Sequence, residues 1–203
     1  MTKTIDFIFD FAAPNGYLAW YPLKEIAARY AARVEIVPVF LGGIMRATGN
    51  APPMFRDAEV KGKVEYAALE FQRFLDRHGM DRFRMHPDLP FNSVLPQRAL
   101  VACAPERRAD MVDALLPAIW EENIDASDPQ AVGAALTAGG FDADALLEAT
   151  GDPAVKQQLA DNTSAAVERG AFGIPTFYVH TDASEEMFFG KERLGQIEEL
   201  LAG

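Results

Sequence analysis

Apolar residues at every second position open the chain. In TIDFIFDF, residues 4–11, Ile5, Phe7, Phe9 and Phe11 are separated by Asp6, Ile8 and Asp10, the period of a strand with one face against a core. The turn AAPNG, residues 12–16, follows. The pattern then changes to a helix reaching about Ala32, with Leu18, Tyr21, Leu23, Ile26, Ala27 and Tyr30 on its apolar side. Pro14 suits the first turn of that helix, where its missing N–H costs nothing. VEIVPVFL, residues 34–41, predicts a second strand, and Pro38 within it predicts an edge position or a bulge. The opening is therefore a β-α-β unit, whose crossover favours parallel, right-handed pairing.

The middle of the chain changes character. Residues 42–57, rich in Gly, Pro and Asn, predict a long loop, and residues 60–78 a helix with Val60, Val64, Ala67, Phe71 and Leu75 along one side. A second loop over residues 79–92 precedes helices over about 94–104 and 106–122. Pro117 should kink the second of these near Asp113. Ser127 to Gln130 has the spacing of a capping box, and Asp142 and Asp152 are suited to cap two further helices. Strand signal returns at Ile174–His180, a polar turn spans residues 181–186, and a short strand occupies 187–189. A closing helix over 191–201 turns Leu194, Ile197, Leu200 and Leu201 inward. The order β-α-β, helices, β-β-α predicts an α/β thioredoxin-like fold made of residues 1–42 and 169–203, with residues 43–168 as an all-helical insertion domain. Ligand sites favour the cleft between two such parts.

Composition narrows the chemistry. The 203 residues are 49% hydrophobic and 24% charged, with a net charge of −11, so a phosphate backbone is a poor partner and nucleic acid is set aside. Cys103 is the only cysteine, which excludes an intrachain disulfide and any Cys-x-x-Cys redox pair; the turn at residues 13–16 is Ala-Pro-Asn-Gly. Cys103 lies in an apolar helical run and is expected to be a buried structural thiol. His78, His86 and His180 lack metal-ligand spacing, so no metal is expected, and His78 and His86 are expected at the surface. Lys3, Asp6 and Asp10 interrupt the first apolar run, which argues against a signal peptide. No membrane span is expected, and the cytoplasm is the expected location.

Three segments carry candidate chemistry. The turn FDFAAPNGY, residues 9–17, delivers the free N–H groups and positive dipole end of the following helix, a setting that stabilises an anion; its plain alternative is a simple strand-to-helix connection. FGIPTFYV, residues 172–179, has a proline entering a strand after Gly-Ile. This suggests a cis bond beside backbone groups of Ile174 that could pair with a peptide-like ligand; a trans proline opening a strand is the alternative. FFGKERL, residues 188–194, places Lys191, Glu192 and Arg193 at a helix start, where a carboxylate can hold an ammonium group or simply complement the dipole. The remaining aromatics are assigned to packing, with Tyr17 and Phe40 able to line an aromatic pocket.

Taken in order, these pieces resemble the 2-hydroxychromene-2-carboxylate isomerase and kappa-class glutathione transferase family, a DsbA-like branch of thioredoxin folds. The resemblance runs from Ile5 to Leu201. It includes FDF-x-x-P-x-x-Y, TGNAPP (48–53), KVEY (63–66), Phe91-Asn92, AIW (118–120), DASDP (125–129), ERGAFGIP (168–175) and FGKER (189–193). The resemblance implies glutathione as cofactor, an aromatic small-molecule substrate and a homodimer. It places the glutathione sulfur at the turn around Ala13, Pro14 and Asn15. The cysteinyl backbone falls on Ile174 before Pro175, and the γ-glutamyl end near Lys191 and Glu192, where the family usually has Ser or Asn followed by Asp. Asn50 and Lys63 match family positions that hold ligand, and Lys63 and Arg193 supply local positive charge. The implied reaction is isomerisation of an aromatic-derived carboxylate by reversible addition of the glutathione thiolate. The alternatives are kappa-class transferase activity or glutathione binding without catalysis. The last is raised by one departure: the family serine that hydrogen-bonds the thiolate is Ala13 here, and the next family hydroxyl position is Gly16.

Overall fold

The computed structural model describes residues 3–203. Strand β1 (Thr4–Phe9), helix α1 (Pro14–Arg29) and strand β2 (Arg33–Pro38) form the opening unit; β1 and β2 run parallel with Ile5 opposite Val34 and Phe7 opposite Ile36. Near the end of the chain, β3 (Thr176–His180) pairs antiparallel with β1, Phe7 facing Phe177, and β4 (Glu185–Phe189) pairs antiparallel with β3. The four strands lie in the order β2-β1-β3-β4. Pro38 ends β2, an edge strand, where its missing N–H leaves no ladder bond unmade. The chain closes with a 3₁₀ turn at Lys191–Arg193 and α10 (Leu194–Ala202).

Eight helices connect β2 to β3 among the described residues: α2 (Leu41–Thr48), α3 (Pro53–Arg56), α4 (Lys63–His78), α5 (Val94–Ala102), α6 (Arg108–Trp120), α7 (Pro129–Ala138), α8 (Ala143–Ala149) and α9 (Pro153–Glu168). The first two correct the loop expected over residues 42–57. Gly42 and Gly43 lower helix propensity, but Ile44 is buried among Ile8, Val39 and Ala166, and that packing outweighs the local cost. Asp142 and Asp152 cap α8 and α9 through the Ala145 and Ala154 N–H groups, at 3.1 and 2.8 Å. The cap of α7 is Asp128, not Ser127. Pro129 occupies the first helical position, so the residue before it is the cap, and Asp128 accepts from the Gln130 N–H at 2.9 Å. Helix α6 continues through Pro117 without a break. The strand expected at 187–189 begins two residues earlier, at Glu185.

Alternation along β1 puts Ile5, Phe7 and Phe9 on the sheet face that meets α1 and α6. There Phe7 stacks between Trp20 and Phe177, with ring centroids 5.9 and 5.3 Å away. Trp120 reaches across from α6 to donate to the Phe11 carbonyl at 2.9 Å, so one core joins strands and central helices. Ile8 faces the other way, into a smaller cluster with Ala13, Ile44, Ala166 and Ile174. His86, expected at the surface, is buried; its ring packs on Phe91 and its Nε2 lies 3.1 Å from the Ile124 carbonyl, so the imidazole's polar edge is satisfied inside. The helix predicted for residues 60–78 begins only at Lys63, after Gly62 in the left-handed region, so Val60 lies in the preceding turn; the apolar stripe is largely uncovered, with Val60, Val64 and Ala67 exposed and only Phe71 and Leu75 partly buried. No helix among the described residues is long and apolar enough to cross a membrane.

Candidate functional site

The site begins with a carboxylate that strand periodicity delivers to the end of β1. Asp10 is fully buried; its Oδ1 accepts from the Ala12 N–H at 2.9 Å and its Oδ2 from the Leu41 N–H at 2.7 Å. Burial pushes its carboxyl pKa up, opposed by those two N–H groups and by the Ser93 hydroxyl. One side chain thus ties the turn before α1 to the first residue of α2. Gln97 of α5 does similar work beside it, donating to the Phe9 and Val39 carbonyls at 2.9 and 2.6 Å.

The turn leads into α1, which begins at Pro14 as predicted. Ala13 is the N-cap, extended at φ −96° and ψ 110°, and offers no side-chain cap. Its methyl group packs in the same cluster as Ile174, so the turn and the segment before β3 meet. Asn15 sits in the first turn of α1, and its buried Oδ1 has no hydrogen-bond partner. At Gly16 an added Cβ would come within 3.3 Å of the Phe9 ring.

Opposite the turn, the Ile174–Pro175 peptide is cis. Among the described residues neither the N–H nor the C=O of Ile174 has a backbone partner, while its neighbours are fixed. Phe172 C=O accepts from Asn50 Nδ2 at 2.7 Å, Gly173 C=O from the Thr176 hydroxyl at 2.8 Å, and Pro175 C=O from the Gly190 N–H at 2.9 Å. Asn50 leads on to Arg56, and Arg56 and Lys63 both hold Asp57 at 2.9 Å. The Arg56 guanidinium first, then the Lys63 ammonium, keep the Asp57 carboxyl well below the usual carboxylate range. On the other side, Gly190 hands the chain to Lys191. The ammonium of Lys191 is buried against Glu192 and lies 5.8 and 5.3 Å from the Phe71 and Phe74 ring centroids of α4. Contacts therefore run in a closed circuit from Asn50 through Phe172, Pro175, Gly190 and Lys191 to α4, and back through Lys63 and Asp57.

This geometry has relatives. A DsbA-like thioredoxin domain model matches residues 4–202. The chain is 31% identical to a 2-hydroxychromene-2-carboxylate isomerase of Sphingobium xenophagum, with 99% of each chain covered. The chain belongs to the DsbA-like thioredoxin family. Human glutathione S-transferase kappa 1 is another relative, 28% identical over 99% of this chain and 92% of that protein. A solved 2-hydroxychromene-2-carboxylate isomerase superposes with a TM-score of 0.83 at 27% identity, covering 98% of this chain and 94% of that one. Within the DsbA-like family, this member is a one-cysteine chain whose cysteine is remote from the turn. Cys103 is buried at the end of α5, and burial pushes its thiol pKa up, so it is a poor nucleophile.

The structure brings the turn of Ala13, Pro14 and Asn15 against the Ile174–Pro175 segment through Ala13, and ties Asn50 to that segment at the Phe172 carbonyl, two residues before Ile174. Lys63 connects only through Asp57 and Arg56. Lys191 is turned into the protein, and Glu192 remains exposed beside it. Three contributors went unnoticed in the sequence: Asp10, Gln97 and the Arg56–Asp57 pair. Asp10 carried a readable signal, as a carboxylate in an apolar strand directly before a turn. Tyr17, expected to line a pocket, is buried and donates to Glu121 Oε1 at 3.0 Å; burial first, then this carboxylate, hold its phenol pKa well above the ordinary value.

Proposed function

We propose that this protein binds glutathione between the start of α1 and the Ile174 backbone, and uses it to isomerise an aromatic-derived carboxylate. The observation that carries the proposal is the pairing of a helix N-terminus with the unpartnered N–H and C=O of Ile174, in a chain aligned end to end with an isomerase of that name. The residues fit the tripeptide: Ile174 can pair with its cysteinyl backbone, and the first turn of α1 faces its sulfur. Asn50 and Lys63 can hold the rest of the ligand, and Glu192, exposed beside the buried Lys191, is placed for its ammonium group. When bound, glutathione supplies a thiolate nucleophile that is returned unchanged. The protein's part is to favour that thiolate with the α1 N–H groups and dipole, to orient it, and to offer the Asn15 amide as the one polar side chain in the turn. Residues 43–168 then act as a helical roof over a thioredoxin-like frame of residues 1–42 and 169–203. The apolar surface of Met54, Phe55, Val64 and Leu69 supports a homodimer, and the cytoplasm is the proposed location.

One observation favours a second reading, glutathione binding without efficient chemistry. Ala13 is 3% exposed and presents only a methyl group where the family serine would present a hydroxyl. Kappa-class-like transferase activity is told apart by its product, a stable glutathione adduct. The first test is a calorimetric titration with reduced glutathione, repeated on Lys63→Ala. Binding in the micromolar to low millimolar range, weakened in the variant, is the expected result. Absence of heat or thermal shift at several millimolar overturns both readings.

A further inference from the structure

A hollow of about 410 Å³ opens between α2, α5 and α9, and none of the residues assigned above to glutathione lines it. Its walls are mostly aliphatic: Val94, Leu159 and Val167, with the single ring of Phe40. Two cations join that lining, Arg98 from α5 and Lys156 from α9. Such a combination, an apolar concavity of this size with a few convergent polar groups, is that of a small-molecule site.

Three observations say what it takes. The walls are held in advance: Gln97, next to Arg98, is anchored to two strand-end carbonyls, and the Phe40 N–H donates to the Thr163 hydroxyl at 2.9 Å. The space is kept open by a glycine, since a Cβ at Gly43 would meet Thr163 Cγ2 at 3.0 Å. The cations are uncommitted: Arg98 Nε is buried without a hydrogen-bond partner, and neither Arg98 nor Lys156 has a carboxylate partner among the described residues. Elsewhere in this acidic chain, Arg56, Arg82 and Arg169 are all paired. Two free cations at one aliphatic hollow, one of them with a donor left unsatisfied, call for an anion attached to an apolar body.

We propose that this hollow binds a medium-chain carboxylate, its alkyl chain against Val94, Leu159 and Val167 and its carboxylate between Arg98 and Lys156. Octanoate is the probe, with octanol as its uncharged counterpart, and binding is followed by calorimetry and by amide chemical shifts. Saturable octanoate binding with shifts confined to α2, α5 and α9 is expected, with octanol weaker by about tenfold or more, and with a similar loss in Arg98→Gln. Lys156 is exposed, so Lys156→Glu tests the charge without disturbing the core, and it should weaken octanoate at least as much. Saturating glutathione should leave octanoate affinity unchanged. Equal binding of octanol, no effect of Lys156→Glu, competition by glutathione, or no saturable binding would each overturn the assignment.

Discussion

Ala13→Ser returns one oxygen to the start of α1 and acts on stability and chemistry together. Ala13 already has N-cap geometry, so a serine there can accept from the N–H groups of Asn15 or Gly16. A good N-cap contributes about 0.5–2 kcal/mol. The lower end applies here, because Ala13 is packed among Ile8, Val39 and Ile174 and the Gly16 N–H already donates to the Ala13 carbonyl at 2.8 Å. A gain of about 0.5–1 kcal/mol in a chain of this length raises Tm by about 1–4 °C. The hydroxyl proton remains free to meet a thiolate, and a hydrogen bond to a charged group contributes about 1.5–3 kcal/mol. Realised in the transition state, that is roughly a 10- to 150-fold gain in turnover. Scanning calorimetry measures the first effect, and an ultraviolet pH titration of bound glutathione together with isomerase assays measures the second. The expected outcome is a higher Tm, a thiolate pKa lowered by about one to two pH units, and faster turnover. A higher Tm with unchanged thiolate pKa and turnover would refute the idea that the missing hydroxyl limits the reaction. A lower Tm would refute the capping geometry.

Asp10 gives a pH-dependent test. Burial raises its folded pKa above the unfolded value, so its contribution is complete below the ordinary carboxylate range and is lost as pH rises through the folded pKa. Asp10→Asn cannot ionise but sets an amide NH₂ against the Ala12 or Leu41 N–H, so urea unfolding should show it about 1–3 kcal/mol less stable in mild acid, with the gap narrowing toward alkaline pH. Gln97→Ala removes donors to two carbonyls; Phe9 C=O keeps the Val39 N–H at 3.1 Å, so the loss falls mainly on Val39 C=O and should cost about 1–3 kcal/mol by denaturant titration. Cys103 should react slowly with a thiol reagent in the native protein and rapidly in urea, and Cys103→Ala should leave glutathione binding unchanged in the same calorimetric assay.

Period-2 alternation exposed β1, and the 3.6-residue period exposed α1 and α4, because both are written in single stretches of chain. What escaped was fixed by distant partners. Helix α2 carries two glycines in its first turn, and its stability comes from Ile44 buried against β1 and α9, which no local pattern reports. The start of β4 escaped because Glu185, Glu186 and Met187 are all exposed on an edge strand, so no burial alternation marks it. The turn, Ile174 and Pro175 were legible as sequence, since Pro14 and Pro175 punctuate it in two recognisable places. The burial of Lys191 was not, because the rings that receive it, Phe71 and Phe74, lie more than a hundred residues away. His86 shows the same limit: a histidine in a loop gives no local sign that Phe91 and Trp120 will enclose it.

Asp10 also has a mechanical consequence. By holding the Ala12 and Leu41 N–H groups at once, it makes the end of β1, the approach to α1 and the root of α2 a single stiff bracket. Any widening of the gap between this bracket and α4 that keeps those bonds must pivot further along the chain. The first joint beyond it is Gly49, whose φ of 69° lies in the left-handed region. Asn50 is the next residue, so such a pivot would carry the Asn50 amide away from the Phe172 carbonyl while leaving Ala13 where it stands. Ligand entry and sulfur positioning would then be separate mechanical events, one governed at Gly49 and the other at Asp10.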